Sequence, residues 1–298
     1  MHPDKVGLMM LDGNLDAEAR RAGFITDQIR DSDDVAAAFF YLCTEAGPSV
    51  CPVAEPTVSE TSARVFGIVQ SLVVKPLVII GDGGSDIFTA DTLSAEVTGS
   101  MFSPRAKWPG IAELFAQAEL RNVSYFIEQG YGAAVNPNAA APDQSFELNT
   151  CGDRVDQSNI TLDEAFLTAQ NATKISPFAD DFSTQKALMC IYWTMRAKNF
   201  YSDPLRAANM SGKMLVTNNI LDHTTPAAHA EINHERFSPS ALALQNSVGH
   251  ATLGDLGKCL ILVIQKFFQR AELPAVSGEM CEPDALPLVG KVAHGIYS

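Results

Sequence analysis

The chain of 298 residues is long enough for one large domain or for a core with an inserted second layer, and 46% of it is hydrophobic, which argues against a disordered protein. Acidic residues outnumber basic ones by 35 to 21, so the net charge is −14. This charge argues against nucleic acid and against an anionic membrane as partners, because both are bound through basic side chains.

Several features of the sequence are typical of proteins that fold in the secretory pathway. There are six cysteines, an even number, and four N-glycosylation sequons, which begin at Asn122, Asn159, Asn171 and Asn209. The first residues lack the basic and apolar regions of a signal peptide, and apolar runs such as 260–264 are too short to span a bilayer. We therefore expect a secreted protein whose export signal lies upstream of the printed residues.

The first predicted element is a short apolar strand that ends at Asp12 and Gly13. The five apolar residues that form it are Val6, Leu8, Met9, Met10 and Leu11. Such a run predicts a strand buried on both faces, as in a parallel sheet covered by helices. Its neighbours in the sheet would then come from other segments, and we assign residues 1–30 to the core of the fold.

Residues 31–195 are predicted to form a mainly helical second layer. One helix is expected to end before Gly47 and Pro48, and residues 111–120 have apolar side chains at helical spacing. Residues 131–150 are rich in Gly, Ala, Asn and Pro, which predicts a loop.

The last hundred residues have the order strand, acid, helix, strand, histidine, helix. A strand at 214–217 leads to Asp222, and the Thr-Thr-Pro segment 224–226 predicts a helix that starts with a hydroxyl cap followed by Pro. The next strand, at 241–244, is followed by His250 in a loop, and an amphipathic helix comes after it.

This order matches part of a known catalytic arrangement. A Ser–His–Asp hydrolase needs a base for the proton of the nucleophile and a carboxylate that orients this base. In α/β-hydrolases the nucleophile, the acid and the histidine follow one another on loops beyond strand ends. Asp222 and His250 meet the last two requirements, although the pattern alone leaves equally open a turn aspartate and a structural histidine. His229 and His234 are five residues apart on a predicted helix, which puts them on different faces, so we expect no metal site.

Several motifs carry a resemblance to one family. The segment 221–226 (Leu-Asp-His-Thr-Thr-Pro) resembles the L-D-P-V-T-P signature of the tripeptidyl-aminopeptidase-like serine hydrolases of peptidase family S33, and 248–252 (Val-Gly-His-Ala-Thr) resembles their G-H-x-S turn. Residues 258–284 are similar to the cysteine-containing tail of that family, and 2–13 resemble the segment that follows its nucleophile helix. The chain departs from these motifs at His223 and Thr252, where the family has Pro and Ser or Cys.

The resemblance implies an α/β-hydrolase core, formed by residues 1–30 and 196–298, with an inserted mainly helical cap at 31–195. It implies that Asp222 is the catalytic acid and His250 the base, with no cofactor. No G-x-S-x-G nucleophile motif occurs in the printed sequence. We therefore expect the nucleophile in an upstream half of the core that these 298 residues lack, and we expect the chain to be inactive alone.

The resemblance also implies a set of disulfide bonds. Cys43 would pair with Cys51 and Cys259 with Cys281, which leaves Cys151 and Cys190 as the third pair. Buried free thiols are the alternative.

For the activity, the resemblance implies an exopeptidase that removes residues or short peptides from substrates with a free N-terminus. Two alternatives stay open at this point. One is a lipase-like or esterase-like hydrolase with the same acid and base, and the other is a catalytically dead, truncated homologue.

Overall fold

The computed structural model describes residues 2–23, 27–133, 145–155, 159–176, 178, 190–195, 197–292 and 294–296, without the side chains of 146, 147, 172 and 173. It contains eight strands within this part of the chain: β1 Met9–Asp12, β2 Leu77–Gly81, β3 Gly84–Phe88, β4 Met214–Leu221, β5 Ser240–Val248, β6 Glu279–Cys281, β7 Ala285–Leu286 and β8 Gly290–Lys291.

Ten α-helices lie in the same described part. They are α1 Ala17–Ala22, α2 Ser32–Ala46, α3 Val58–Val74, α4 Ala90–Ser100, α5 Pro104–Glu119, α6 Val123–Glu128, α7 Ser145–Asp153, α8 Leu162–Thr173, α9 Ala227–Arg236 and α10 Lys258–Arg270. Two short 3-10 helices, Pro3–Lys5 and Thr252–Asp255, add to these. None of the described helices is both long enough and apolar enough to cross a membrane.

The main sheet is parallel and has the strand order β1-β4-β5-β6. Its two central strands are buried on both faces because helices cover each side. On one face, Met214 and Val216 pack with Ala230 of α9, and on the other, Leu215 packs with Leu260 and Phe267 of α10. The alternation of neighbouring residues between the two faces is that of a β-strand. This mostly parallel sheet with flanking helices confirms the predicted α/β class.

The first strand differs from the sequence prediction of an element buried on both faces. Within the described part of the chain, β1 lies at the edge of the sheet and pairs only with β4, from Met9 opposite Met214 to Asp12 opposite Thr217. Leu8 and Met9 are 39% and 38% exposed as a result. The prediction of complete burial is wrong because no described strand covers the outer edge.

Helices α2 to α6 and the antiparallel β2–β3 hairpin form what we call the helical layer. Its core contains Phe39, Trp108 and Phe115, with the Phe39 ring 5.3 Å from that of Trp108. The same hydrophobic cluster includes Leu221 and Val248, the last residues of β4 and β5. The helical layer therefore covers the carboxyl ends of the central strands.

Two local features of this region add to the mainly helical prediction: a boundary between a helix and a strand, and the start of a helix within a predicted loop. The apolar run after residue 71 is divided between the end of α3 and β2, because Lys75 precedes Pro76 and is extended, with φ −146° and ψ 89°. The predicted loop at 131–150 contains the start of α7, while residues 134–144 lie outside the described part.

Three disulfides connect the cysteines, and they are the pairs that the resemblance implies. Cys43–Cys51 closes the loop after α2, Cys151–Cys190 joins α7 to a distant segment, and Cys259–Cys281 ties α10 to β6. Their Cα atoms lie 5.3, 5.1 and 5.4 Å apart, within the usual range for disulfides.

Candidate active site

Asp222 and His250 meet where two paired strands end. Leu221 ends β4, Val248 ends β5, and the two residues lie opposite each other in the sheet. Asp222 follows the first strand end directly, and His250 follows the second after a single glycine. Parallel pairing therefore brings together two side chains that are 28 residues apart in sequence.

The geometry of the pair is that of an acid that orients a base. The His250 Nδ1 lies 3.1 Å from Asp222 Oδ2 and 3.3 Å from Oδ1. The Asp222 side chain is completely buried, whereas 32% of the His250 side chain is exposed. A buried carboxylate behind a partly exposed imidazole is the arrangement in which the histidine can exchange protons with a reacting group.

Asp222 is surrounded by hydrogen-bond donors. Its Oδ1 accepts bonds from the amides of Thr224 (3.0 Å) and Thr225 (2.9 Å), and its Oδ2 accepts one from the amide of Ala251 (2.9 Å). Burial raises the pKa of Asp222, but the hydrogen bond and charge of His250, together with the Thr225 hydroxyl, bring this pKa below its ordinary value. The carboxylate is therefore ionised at neutral pH.

Thr225 has a different role from the one that the sequence pattern predicts. Helix α9 starts at Ala227 after Pro226, and no side chain caps it. The Thr225 hydroxyl instead donates to Asp222 Oδ2 at 2.5 Å and lies 3.0 Å from His250 Nδ1. The predicted hydroxyl cap is wrong because the Thr225 oxygen, whose hydrogen is donated to the carboxylate, faces His250 Nδ1 and can accept a hydrogen bond from Nδ1–H instead of from a helix amide.

The connection between α4 and α5 in the helical layer lies against the pair. The ring of Phe102 packs edge-to-face with both His223 and His250, at centroid distances of 4.6 and 5.2 Å. Pro104 approaches Gly249 so closely that a Cβ at this glycine would lie 2.6 Å from the proline Cδ. His250 and the glycine before it are thus in contact with residues of the helical layer.

His223, one of the two departures from the family motif, is buried next to this contact. Its backbone carbonyl accepts a hydrogen bond of 3.0 Å from the Ser32 hydroxyl at the start of α2. His223 therefore links the loop that carries Asp222 to the helical layer.

The other histidines that the sequence singles out have separate partners. His229 Nε2 lies 2.7 Å from Asp27 Oδ2, while His234 Nδ1 lies 2.8 Å from the Ser240 hydroxyl. In the described part of the chain, no three His, Cys, Asp or Glu side chains are grouped so that they could hold a metal ion.

The asparagines of the four sequons lie at Asn122, Asn159, Asn171 and Asn209, and none of them is buried. They are therefore accessible to a modifying enzyme, and their modification stays a prediction.

Sequence reasoning missed three residues that hold the pair in place. Besides Thr225, these are Asp12, which accepts hydrogen bonds from the loop after His250, and Asn219, which donates to that loop. Asp12 stands in the Leu-Asp-Gly motif at the end of the first strand. A polar residue at a strand end was therefore the sequence signal that could have pointed to it. Asn219 lies within β4 and carries no such signal.

Three features together are characteristic of the α/β-hydrolase class: a parallel sheet, helices that cover it, and an aspartate–histidine pair at the strand ends. A family model described as "TAP-like protein" matches residues 176–281, a stretch that contains both Asp222 and His250. This match supports a TAP-like α/β-hydrolase domain in that part of the chain. Among curated proteins there is no match to the chain.

Proposed function

We propose that the protein is a secreted serine hydrolase that releases residues or short peptides from substrates with a free N-terminus. The observation that carries the proposal is the 3.1 Å contact between His250 Nδ1 and Asp222 Oδ2 at paired strand ends, inside the stretch that matches the TAP-like family. Asp222 is the acid, His250 is the base, and no cofactor takes part.

The contacts at Nδ1 define how this pair works. A hydrogen bond from Nδ1–H to Asp222 selects the tautomer in which Nε2 is the basic nitrogen. Nε2 then takes the proton of a serine hydroxyl as the serine attacks the substrate carbonyl, and it passes this proton to the departing amine. The ionised Asp222 stabilises the imidazolium that exists between the two transfers.

In this proposal the nucleophile belongs to a further segment of the hydrolase core that pairs with the outer edge of β1. The sequence contains no G-x-S-x-G motif. The partial exposure of Leu8 and Met9 supports a strand partner at that edge. An apolar groove beside it is lined by Val6, Met9, Leu11, Leu205, Met214 and Phe237. The 298 residues alone would then be inactive.

The domain division in the proposal follows the same geometry. Residues 1–30 and 196–298 form the core, and residues 31–195 form a cap whose helical layer borders the substrate site. Contacts of this layer with Leu221 and Val248, directly before the two site residues, support the division. Three disulfides and four accessible sequon asparagines support a secreted, glycosylated protein.

A fluorophosphonate probe tests the proposal, because it labels a serine only when a neighbouring base activates it. We expect labelling of a longer protein that supplies the nucleophile segment, none of the 298 residues alone, and loss of labelling in a His250→Ala variant of the longer protein. Labelling that survives His250→Ala, or a longer protein that is never labelled, would contradict the proposal.

The substrate class needs a second experiment with paired substrates. We expect cleavage of peptide amides with a free N-terminus and no cleavage of the same peptides after N-acetylation. Cleavage of short acyl esters alone would leave the hydrolase assignment in place and overturn the exopeptidase assignment.

A further inference from the structure

The loop that carries His250 has an unusual backbone. Gly249 has φ +123° and Ala251 has φ +55°, a left-handed value that is unfavourable for a residue with a Cβ. The 3-10 helix Thr252–Asp255 follows at once, and no side chain of its own cap residue closes it. Such a loop keeps its shape only if contacts from other segments hold it.

Those contacts come from two carboxylates that bind three consecutive amides of the loop. The amide of Ala251 donates to Asp222 Oδ2 at 2.9 Å, and the next two amides donate to Asp12, from Thr252 at 2.9 Å and from Leu253 at 3.0 Å. The Thr252 hydroxyl also donates to Asp12, at 2.9 Å. Asp12 therefore caps the 3-10 helix from another strand, as an N-cap aspartate does within one helix.

Asp12 is itself fixed by the sheet. It is the last residue of β1 and lies opposite Thr217 of β4, whose hydroxyl donates to Asp12 Oδ1 at 3.0 Å. Strand β4 also holds the carbonyl groups of the loop, since its Asn219 Nδ2 donates to the carbonyls of Gly249 and Ala251, both at 2.9 Å. Amides and carbonyls of the loop thus have fixed partners on the two adjacent strands.

Gly13, the next residue, provides space for the imidazole. It has φ +67°, and a Cβ at this position would lie 3.2 Å from His250 Cε1 and 3.0 Å from Ala251 Cβ. A larger residue would be strained there and would push against the ring.

We propose that Asp12 and Gly13 are positioning residues for the base. Asp12 holds His250 against Asp222 through the backbone of residues 252–253, and Gly13 leaves the space that the imidazole takes. Neither residue contacts a reacting atom. The inference rests on the proposed function only in naming His250 as the base. It assigns to the end of the first strand a function in setting the geometry of the site, in addition to its place in the sheet.

The test measures, by NMR, how fast the Nδ1–H proton of His250 exchanges with solvent in the full chain labelled with ¹⁵N at histidine. We expect Asp12→Asn to raise the solvent exchange rate of this proton about tenfold or more, because an amide nitrogen replaces one of the two acceptor oxygens and an amide of the loop loses its partner. Gly13→Ala, which leaves all charges unchanged, should have the same effect for a steric reason. An unchanged exchange rate in both folded variants would overturn the inference.

Asp16→Asn is a matched control. Asp16 also accepts two amide hydrogen bonds, from Glu18 and Ala19. It caps a helix and pairs with Arg236 without contacting His250. We expect it to lower the melting temperature and to leave the exchange rate of the His250 proton unchanged. If it raised that rate equally, the effect of Asp12→Asn would be a general loss of stability, which contradicts a positioning role.

This readout needs no nucleophile, so the inference and the proposed function can fail separately. If the exchange rate of the His250 proton rises in the variants but the probe never labels the longer protein, the positioning role stands and the hydrolase proposal is refuted. In an active longer protein, Asp12→Asn should lower kcat at least about tenfold with little change in KM. A change in KM alone would contradict positioning of the base.

Discussion

The hydroxyl of Thr225 donates a hydrogen bond of 2.5 Å to the completely buried carboxylate of Asp222. This bond stabilises a charge that has no contact with solvent, and its loss removes one of the three donors around Asp222 Oδ2. We expect Thr225→Val to lower the free energy of unfolding by about 1–3 kcal/mol. Urea denaturation measures the effect, and Thr224→Val is the matched control because the amide of Thr224 still donates to Asp222. Equal losses in both variants would contradict the assigned bond.

The lowered pKa of Asp222 makes part of the stability dependent on pH. Because the folded-state pKa lies below the unfolded value of about 3.9, ionised Asp222 stabilises the fold above that pH, and the contribution is lost as the pH falls through the folded pKa. We expect Asp222→Asn to be much less stable than the parent chain at pH 7, with a difference that shrinks below about pH 4. Urea denaturation at several pH values measures this, and a difference that does not depend on pH would refute it.

Asp31 at the start of α2 should show the opposite behaviour. Burial raises its pKa to about 6, nearby Arg30 lowers it, and Asp34 and Asp222 raise it further. The folded-state pKa exceeds the unfolded value, so ionisation of Asp31 destabilises the fold as the pH rises through this range. We expect Asp31→Asn to gain on the order of 1 kcal/mol at pH 7 and nothing below about pH 4. A loss of stability at pH 7 would show that Asp31 is held by a favourable contact instead.

Gly249, directly before His250, packs against the helical layer with no room for a side chain. Its φ of +123° opposes a larger residue, and so does Pro104, whose Cδ lies 2.6 Å from the place that a Cβ at this glycine would take. We expect Gly249→Ala to lower the melting temperature by a few degrees or more, corresponding to about 1–3 kcal/mol. Gly110→Ala is the control, because Gly110 lies in α5 with open space around it and should become slightly more stable. The opposite order would contradict the close approach.

The disulfide between Cys259 and Cys281 spans 22 residues, whereas the one between Cys43 and Cys51 spans 8. A disulfide that closes a longer loop restricts the unfolded chain more strongly. We expect replacement of Cys259 and Cys281 by serine to lower the free energy of unfolding by about 2–4 kcal/mol, and replacement of Cys43 and Cys51 to lower it by less. Thermal denaturation compares the two. A larger loss for Cys43 and Cys51 would show that local packing, and not chain restriction, dominates.

The sequence was sufficient for the elements of residues 214–270 and for the order in which the site residues occur. Helix α10 and the motifs around Asp222 and His250 depend on the order of neighbouring residues. Such local patterns can be recognised in a sequence whose fold is unknown. The role of Thr225 could not be read in this way, because the same hydroxyl suits a helix cap and a buried carboxylate. Only the position of α9 decides between them.

The contacts of Asp12 and Asn219 were also beyond sequence reasoning. Asp12 meets Thr252 across 240 residues, and the register of β1 against β4 determines this contact. The position of β1 at the edge of the described sheet accounts for the exposure of Leu8 and Met9, which a run of apolar residues could not indicate. Strand order and register are non-local properties, and a pattern of single residues does not contain them.

The pairing of β1 with β4 has a consequence for the synthesis of the protein. Its partners, such as Leu11 and Val216, are separated by the whole helical layer, so the sheet cannot close until the ribosome has made the last third of the chain. Bringing such distant segments together is slow for an unstructured loop of that length. Prior folding of the intervening helices shortens the distance to be closed. The order of translation therefore favours a helical layer that folds first on the nascent chain, with the site forming last.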